Sequence, residues 1–177
     1  MAAGDDALDP GAPVHRVQMS LEELEEAAWL YPVDEVCLED LPMTAAEALA
    51  AGVDTPTLRE LAGLSRRADS QDIRDAFEQA LTELGIALPD PALARRYALH
   101  RLATGFAAGD VALTELASDT WWEMEAATAE EHAFVALLRT CACCTAYTLG
   151  LDEEAWTSQL RFAARALASH PTVGPGY

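Results

Sequence analysis

The sequence predicts an all-α fold, a single-domain bundle of about eight mostly short helices around a buried central helix near residues 129–148. Three observations carry this. Helix-start signals, in which Ser, Thr or Asp is followed by Glu three residues later or by Pro, recur along the chain, and an apolar pattern of helical period follows most of them. Glycines close most of those patterns, at Gly52, Gly63, Gly85, Gly109 and Gly150. No stretch alternates apolar and polar residues long enough to read as a strand.

Residues 1–14 are rich in Gly, Asp, Pro and Ala without periodicity and are expected to be disordered. Residues 15–170 form the expected helical domain, and 171–177 an irregular tail. Ser20 and Glu23 make a capping box, which predicts a helix starting at Leu21, with Leu21, Leu24, Ala28 and Tyr31 sharing one face. Pro32 ends it, and residues 33–43 are too short and proline-flanked to assign. Thr44 with Glu47 is a second capping box, closed by Gly52. Thr55 with Pro56 is an N-cap followed by proline at the first helical position.

Asp69 or Ser70 caps the next helix, whose apolar stripe is Ile73, Ala76, Phe77, Ala80, Leu81 and Leu84. Asp90 with Pro91 opens a longer helix carrying Leu93, Tyr97, Leu102 and Phe106. Asp110 caps a short one through Leu116, and residues 119–127 read equally as helix or loop. Thr128 with Glu131 is the third capping box. Phe134, Val135, Leu137, Leu138, Cys141, Ala142 and Cys144 cover most of the circumference of the helix it starts, hence the expected central helix. Asp152 caps the last helix, with Trp156, Leu160, Ala163, Ala164 and Leu167 facing inward. The tandem helix pairs also fit a repeat-like solenoid, though no repeat of fixed period is present.

Composition narrows the function classes. A chain of 177 residues, 51% of them hydrophobic, suits one globular domain. The net charge is −19 and every basic residue is Arg, so the Coulomb term toward phosphate is repulsive. Neither direct nucleic-acid binding nor an anionic membrane surface is expected. The start of the chain is acidic where a signal peptide would be basic. The most apolar run, Ala133 to Leu149, is short for a bilayer and carries Arg139. A cytoplasmic protein is the expectation, and four cysteines with three of them crowded together fit a reducing compartment.

The segments AAEALAAGVDTPTLRELAGL, LTELGIALPDP and AAGDVALTELASDTWWE resemble small acidic hypothetical proteins of GC-rich bacteria, over roughly residues 44–165. The resemblance carries no catalytic motif and implies a small intracellular helical domain, with no activity to transfer.

The sharpest candidate chemistry is Cys141, Cys143 and Cys144, in which the first and last have C-x-x-C spacing. A tetrahedral zinc site would need two more ligands. His132 is nine residues from Cys141, about 13.5 Å along a helix. Reactive C-x-x-C cysteines sit at helix N-termini, whereas these fall late in a predicted helix. The simpler reading is small core residues, and neither a metal nor a cofactor is expected. No His falls three residues after a Glu, so the Glu-x-x-His pattern of di-iron bundles is missing. No H-E-x-x-H, G-x-S-x-G, P-loop or G-x-G-x-x-G occurs either, so no catalytic residue is assigned. His100 and the other histidines read as surface residues.

Charge distribution says more. Residues 1–60 hold fourteen acids against Arg16 and Arg59, whereas residues 61–107 hold six acids and six arginines. A second acidic cluster, Asp119 to Glu131, surrounds Trp121 and Trp122. Concentrated negative charge steers a basic partner, and tryptophan can anchor an interface. The candidate partner-binding residues are therefore Glu22, Glu23, Glu25, Glu26, Asp119, Trp121, Trp122 and Glu123. The plainer alternative is acidity for solubility and tryptophans in the core. The sequence thus points to a non-enzymatic acidic helical module that binds a basic protein, of the immunity, antitoxin-like or regulatory adaptor kind. A thiol- or metal-dependent enzyme or sensor using Cys141, Cys143 and Cys144 is the alternative, and nothing names a small-molecule ligand.

Overall fold

Four of the N-caps legible in the sequence hold their helices. Thr55 accepts a hydrogen bond from the Leu58 amide, Asp69 from Gln71, Asp90 from Ala92 and Asp152 from Ala155, each satisfying a donor the helix leaves orphaned. The computed structural model describes residues 12–116, 121, 124–138, 150–171 and 174–175. Among them the regular elements are seven α-helices and three 3₁₀ turns, with no strand, so the chain is all-α. No helix among the described residues is long and apolar enough to cross a membrane. The contacts divide the chain, read as one domain from sequence, into two compact units, residues 1–89 and 90–177.

The first unit contains α1 (Ala12–Leu30), 3₁₀ turns at Tyr31–Val33 and Leu38–Asp40, α2 (Leu41–Ala51), α3 (Pro56–Gly63) and α4 (Ser70–Leu84). Each α-helix packs on the next. Leu24, Ala28, Leu41, Ala45, Leu58, Leu61, Ile73, Phe77 and Leu81 form its core, each large side chain stabilising by roughly 1.5–3 kcal/mol on burial. The ring of Tyr31 meets Phe77 at 5.3 Å, and its hydroxyl donates to Glu78 Oε1 at 2.6 Å.

Two helix starts in this unit differ from the sequence reading. Helix α1 begins at Ala12 rather than Leu21, so Ser20 is a buried interior residue and not a cap. Val17 packs against the core, and that contact extends the helix upstream past the expected start. Residues 12–14, expected to be disordered, lie in this helix, while 1–11 fall outside the described residues. Thr44 is likewise interior: the turn at Leu38–Asp40 runs directly into α2, and the Thr44 hydroxyl donates back to the Asp40 carbonyl at 3.4 Å. Gly52 closes α2 at φ +102°, a conformation that a side chain would strain.

The second unit contains α5 (Pro91–Ala108), a 3₁₀ turn at Leu113–Leu116, α6 (Ala129–Leu138) and α7 (Glu153–Ala168). Helix α7 packs against both α5 and α6, burying Trp156, Leu160, Ala163, Ala164 and Leu167 as its pattern predicts. The buried face of α5 is Ala94, Ala98, Leu99, Ala103 and Phe106, while Leu93 is exposed and Tyr97 and Leu102 are half-buried. Asp110 caps no α-helix: its amide and that of Gly109 bond back to the Gly105 carbonyl, and the next element is the 3₁₀ turn.

Of the expected central helix, residues 129–138 are described. Phe134, Val135 and Leu138 are buried, but His132, Ala133 and Ala136 are exposed. This stretch is therefore buried along one face rather than all round.

Candidate functional site

The most organised polar arrangement among the described residues grows from the capping box at the start of α6. The Glu131 amide donates to Thr128 Oγ1 at 3.2 Å, and Glu131 Oε2 accepts from the Thr128 amide at 3.3 Å. The same oxygen accepts from the Ala127 amide at 2.7 Å. The other oxygen, Oε1, accepts from Arg96 Nε at 2.8 Å and lies 3.6 Å from His100 Nε2. Arg96 and His100 are four residues apart on α5 and so share a face. Glu131 is wholly buried and His100 is 6% exposed, which corrects the reading of His100 as a surface residue.

Burial pushes the Glu131 carboxyl up, but the Ala127 amide, the Arg96 guanidinium and the Thr128 amide outweigh it and hold its pKa below the ordinary carboxylate value. Burial also pushes the His100 imidazole down, further than the Glu131 charge lifts it. The resting pair is thus a carboxylate beside a neutral imidazole. Such a pair has the components of acid–base chemistry. Here both Glu131 oxygens accept hydrogen bonds and are closed from solvent, so the arrangement works as a clamp from α6 to α5.

Solvent-facing hollows lie elsewhere. In the first unit one opens between α3 and α4, lined by Thr57, Glu60, Leu64, Asp72, Asp75 and Gln79 among others. It contains three carboxylates and no arginine. Sequence reasoning missed it because residues 61–107 are neutral in sum; the helical register of α4 turns Asp72 and Asp75 to one side. Thr57 is fixed at its edge by Glu83, which accepts from both the Thr57 amide and hydroxyl and is thereby lowered in pKa.

Of the acids expected to bind a partner, Glu22 and Glu23 are exposed on α1, whereas Glu25 and Glu26 are half-buried beside the Leu24–Ala28 face. Trp121 is 3% exposed. It is a core residue and offers no free surface as an interface anchor. Asp119, Trp122, Glu123, Cys141, Cys143 and Cys144 lie outside the described residues. Cys37 is exposed and free. Among the described residues no group of three His, Cys, Asp or Glu side chains is placed to hold a metal ion.

No protein-family model, curated protein or solved structure matches the chain.

Proposed function

We propose that this chain is a non-enzymatic helical binding module that engages a protein with a basic surface through the acidic first unit, in the manner of an immunity, antitoxin-like or adaptor protein. A cytoplasmic setting belongs to the same proposal. The observation that supports it is the concentration of unpaired carboxylates. Residues 1–89 hold nineteen acids and five arginines, a net −14, against −5 for residues 90–177. Asp34, Asp40 and Asp54 pair with arginines, but Glu22, Glu23, Glu35, Glu39, Glu47 and Glu60 are exposed and make no ion pair among the described residues. Self-repulsion of this kind opposes compactness, and a basic partner relieves it.

The test compares capture of basic proteins from host extract on immobilised wild type, E22R/E23R and E60Q/D72N/D75N. The proposal expects a partner held by the wild type and lost or weakened by at least one variant. Its association should slow as salt rises, since the Debye length falls from about 30 Å at 0.01 M to about 8 Å at 0.15 M. A partner retained equally by all three proteins at every salt concentration refutes it.

A further inference from the structure

In the second unit the end of α5, the 3₁₀ turn after it and one edge of α7 border a hollow of about 360 Å³. Its wall is set by the chain reversal at Gly109. The amides of Gly109, Asp110 and Val111 all donate to the Gly105 carbonyl, at 3.0, 2.9 and 3.3 Å. A Val111 methyl packs so closely on Gly105 that a Cβ there would lie 2.7 Å from it. The hollow is therefore formed before anything enters it, which lowers the ordering cost of binding.

The lining combines two chemistries. Phe106, Val111, Ala112 and Leu113 supply apolar surface, and Arg161 and Arg165, one turn apart on α7, supply two guanidiniums. None of the lining residues is a carboxylate, in a chain with thirty acids and eleven arginines. Both arginines are exposed and make no hydrogen bond or ion pair through their side chains among the described residues. Arg67 and Arg95 also lack an acid partner; what sets Arg161 and Arg165 apart is that they share one hollow with an apolar wall. The negative end of the α5 dipole favours cations here, but it leaves the guanidinium donors without a matched acceptor. The same arginines border a wider hollow that contains Glu153 and Glu154, where an anion would be repelled.

The lining selects its occupant by exclusion. An inorganic anion would meet the guanidiniums and leave the apolar wall wet. A neutral apolar molecule would cover the wall and leave the guanidiniums unmatched. A carboxylate on a compact aryl or branched-alkyl body answers both, because its two oxygens fit the fork of a guanidinium. One negative charge also suits a chain of net charge −19, where every further charge on a ligand adds repulsion. The volume lies near the lower end of the roughly 300–1,000 Å³ of ligand pockets, so the body is of single-ring size.

We propose that this hollow binds a small apolar monocarboxylate, with its carboxylate held by Arg161 and Arg165 and its body on Phe106, Val111 and Leu113. The site belongs to the second unit and does not depend on the protein-binding role proposed for the first.

The test is calorimetric titration of the full chain with 3-phenylpropionate and 4-methylpentanoate, against 3-phenylpropanamide and inorganic phosphate. At least one of the two acids should bind saturably, one per chain, about tenfold or more tighter than the amide or phosphate. R161Q/R165Q should lose that difference with helical circular dichroism unchanged. Ala112→Phe fills the hollow from the exposed turn and leaves both arginines in place; it should abolish binding, and it decides the matter if the double variant does not fold. Three results overturn the proposal: no saturable binding of either acid at millimolar concentration, amide or phosphate bound as tightly as the acids, or acid binding that survives in folded R161Q/R165Q or Ala112→Phe.

Discussion

Arg96 and Glu131 stand 35 residues apart in the chain and 2.8 Å apart in space, joining α5 to the first turn of α6. Glu131 is fully buried while the Arg96 side chain keeps 27% of its surface exposed. The pair is asymmetric: the carboxylate depends on its donors, and the guanidinium retains some water. Glu131→Ala is expected to destabilise the second unit by on the order of 3 kcal/mol, because a partly buried guanidinium and two amides lose their acceptor. Arg96→Ala should cost less, since the Ala127 and Thr128 amides still hold the carboxylate. Urea unfolding followed by tryptophan fluorescence ranks the two; negligible losses in both would show that the clamp carries no stability, and an equal or larger loss for Arg96→Ala would contradict the asymmetry.

Acid should weaken the second unit in two stages. His100 has a folded pKa below its ordinary 6.5, so the unfolded chain takes its proton first and stability falls as pH drops below about 6.5. Glu131 has a folded pKa below its ordinary 4.5, so its contribution, present above that value, is lost as pH falls through the lowered one. In His100→Gln the first stage should vanish while the second persists. Melting temperatures between pH 8 and 3 check this, and a wild-type profile flat from pH 7 to 5 contradicts it.

Gly105 lies inside α5, where alanine would ordinarily stabilise a helix by about 1 kcal/mol. A Cβ there would sit 2.7 Å from a methyl of Val111, because the chain folds back after Gly109. Overpacking of this kind costs about 1–3 kcal/mol. Gly105→Ala is therefore expected to be neutral to destabilising in the wild type and stabilising in a Val111→Ala background. Thermal melts of the four-protein cycle decide it, and a change of the same sign in both backgrounds would rule out the Val111 contact as the cause.

Tyr31 stitches α4 to the end of α1 through three contacts: its hydroxyl on Glu78, its edge on Phe77, and Arg74 over its ring at 5.7 Å. Tyr31→Phe keeps the last two and should cost about 1 kcal/mol. Tyr31→Leu loses all three and should cost roughly 1 kcal/mol more than Tyr31→Phe. Denaturation of the two variants separates hydroxyl from ring, and a leucine variant as stable as the phenylalanine one would assign the role to burial alone.

The sequence by itself determined the helical class and much of the punctuation. Thr55, Asp69, Asp90, Thr128 and Asp152 could be read as caps because a cap concerns one side chain and an amide two or three residues on, a distance the local sequence contains. The stripes of α4 and α7 were legible for a related reason: large apolar residues at helical spacing have one face to bury. Where alanine fills the face, as in α5, periodicity does not say which side goes in. There the exposure of Leu93 and the burial of His100 were decided by what packed against the helix.

The same limit governs function. Net charge is a sum, and a sum does not reveal that Asp72 and Asp75 would line one hollow with Glu60. Ser20 and Thr44 had the spacing of caps and became helix interiors because chain on their N-terminal side, Val17 against the core and the Leu38–Asp40 turn, continued the helix through them. Glu131 was visible as half of a capping box. That it would also be buried and bound to Arg96 was decided only by tertiary structure, since a carboxylate is tolerated inside a protein only where distant parts of the chain supply its donors.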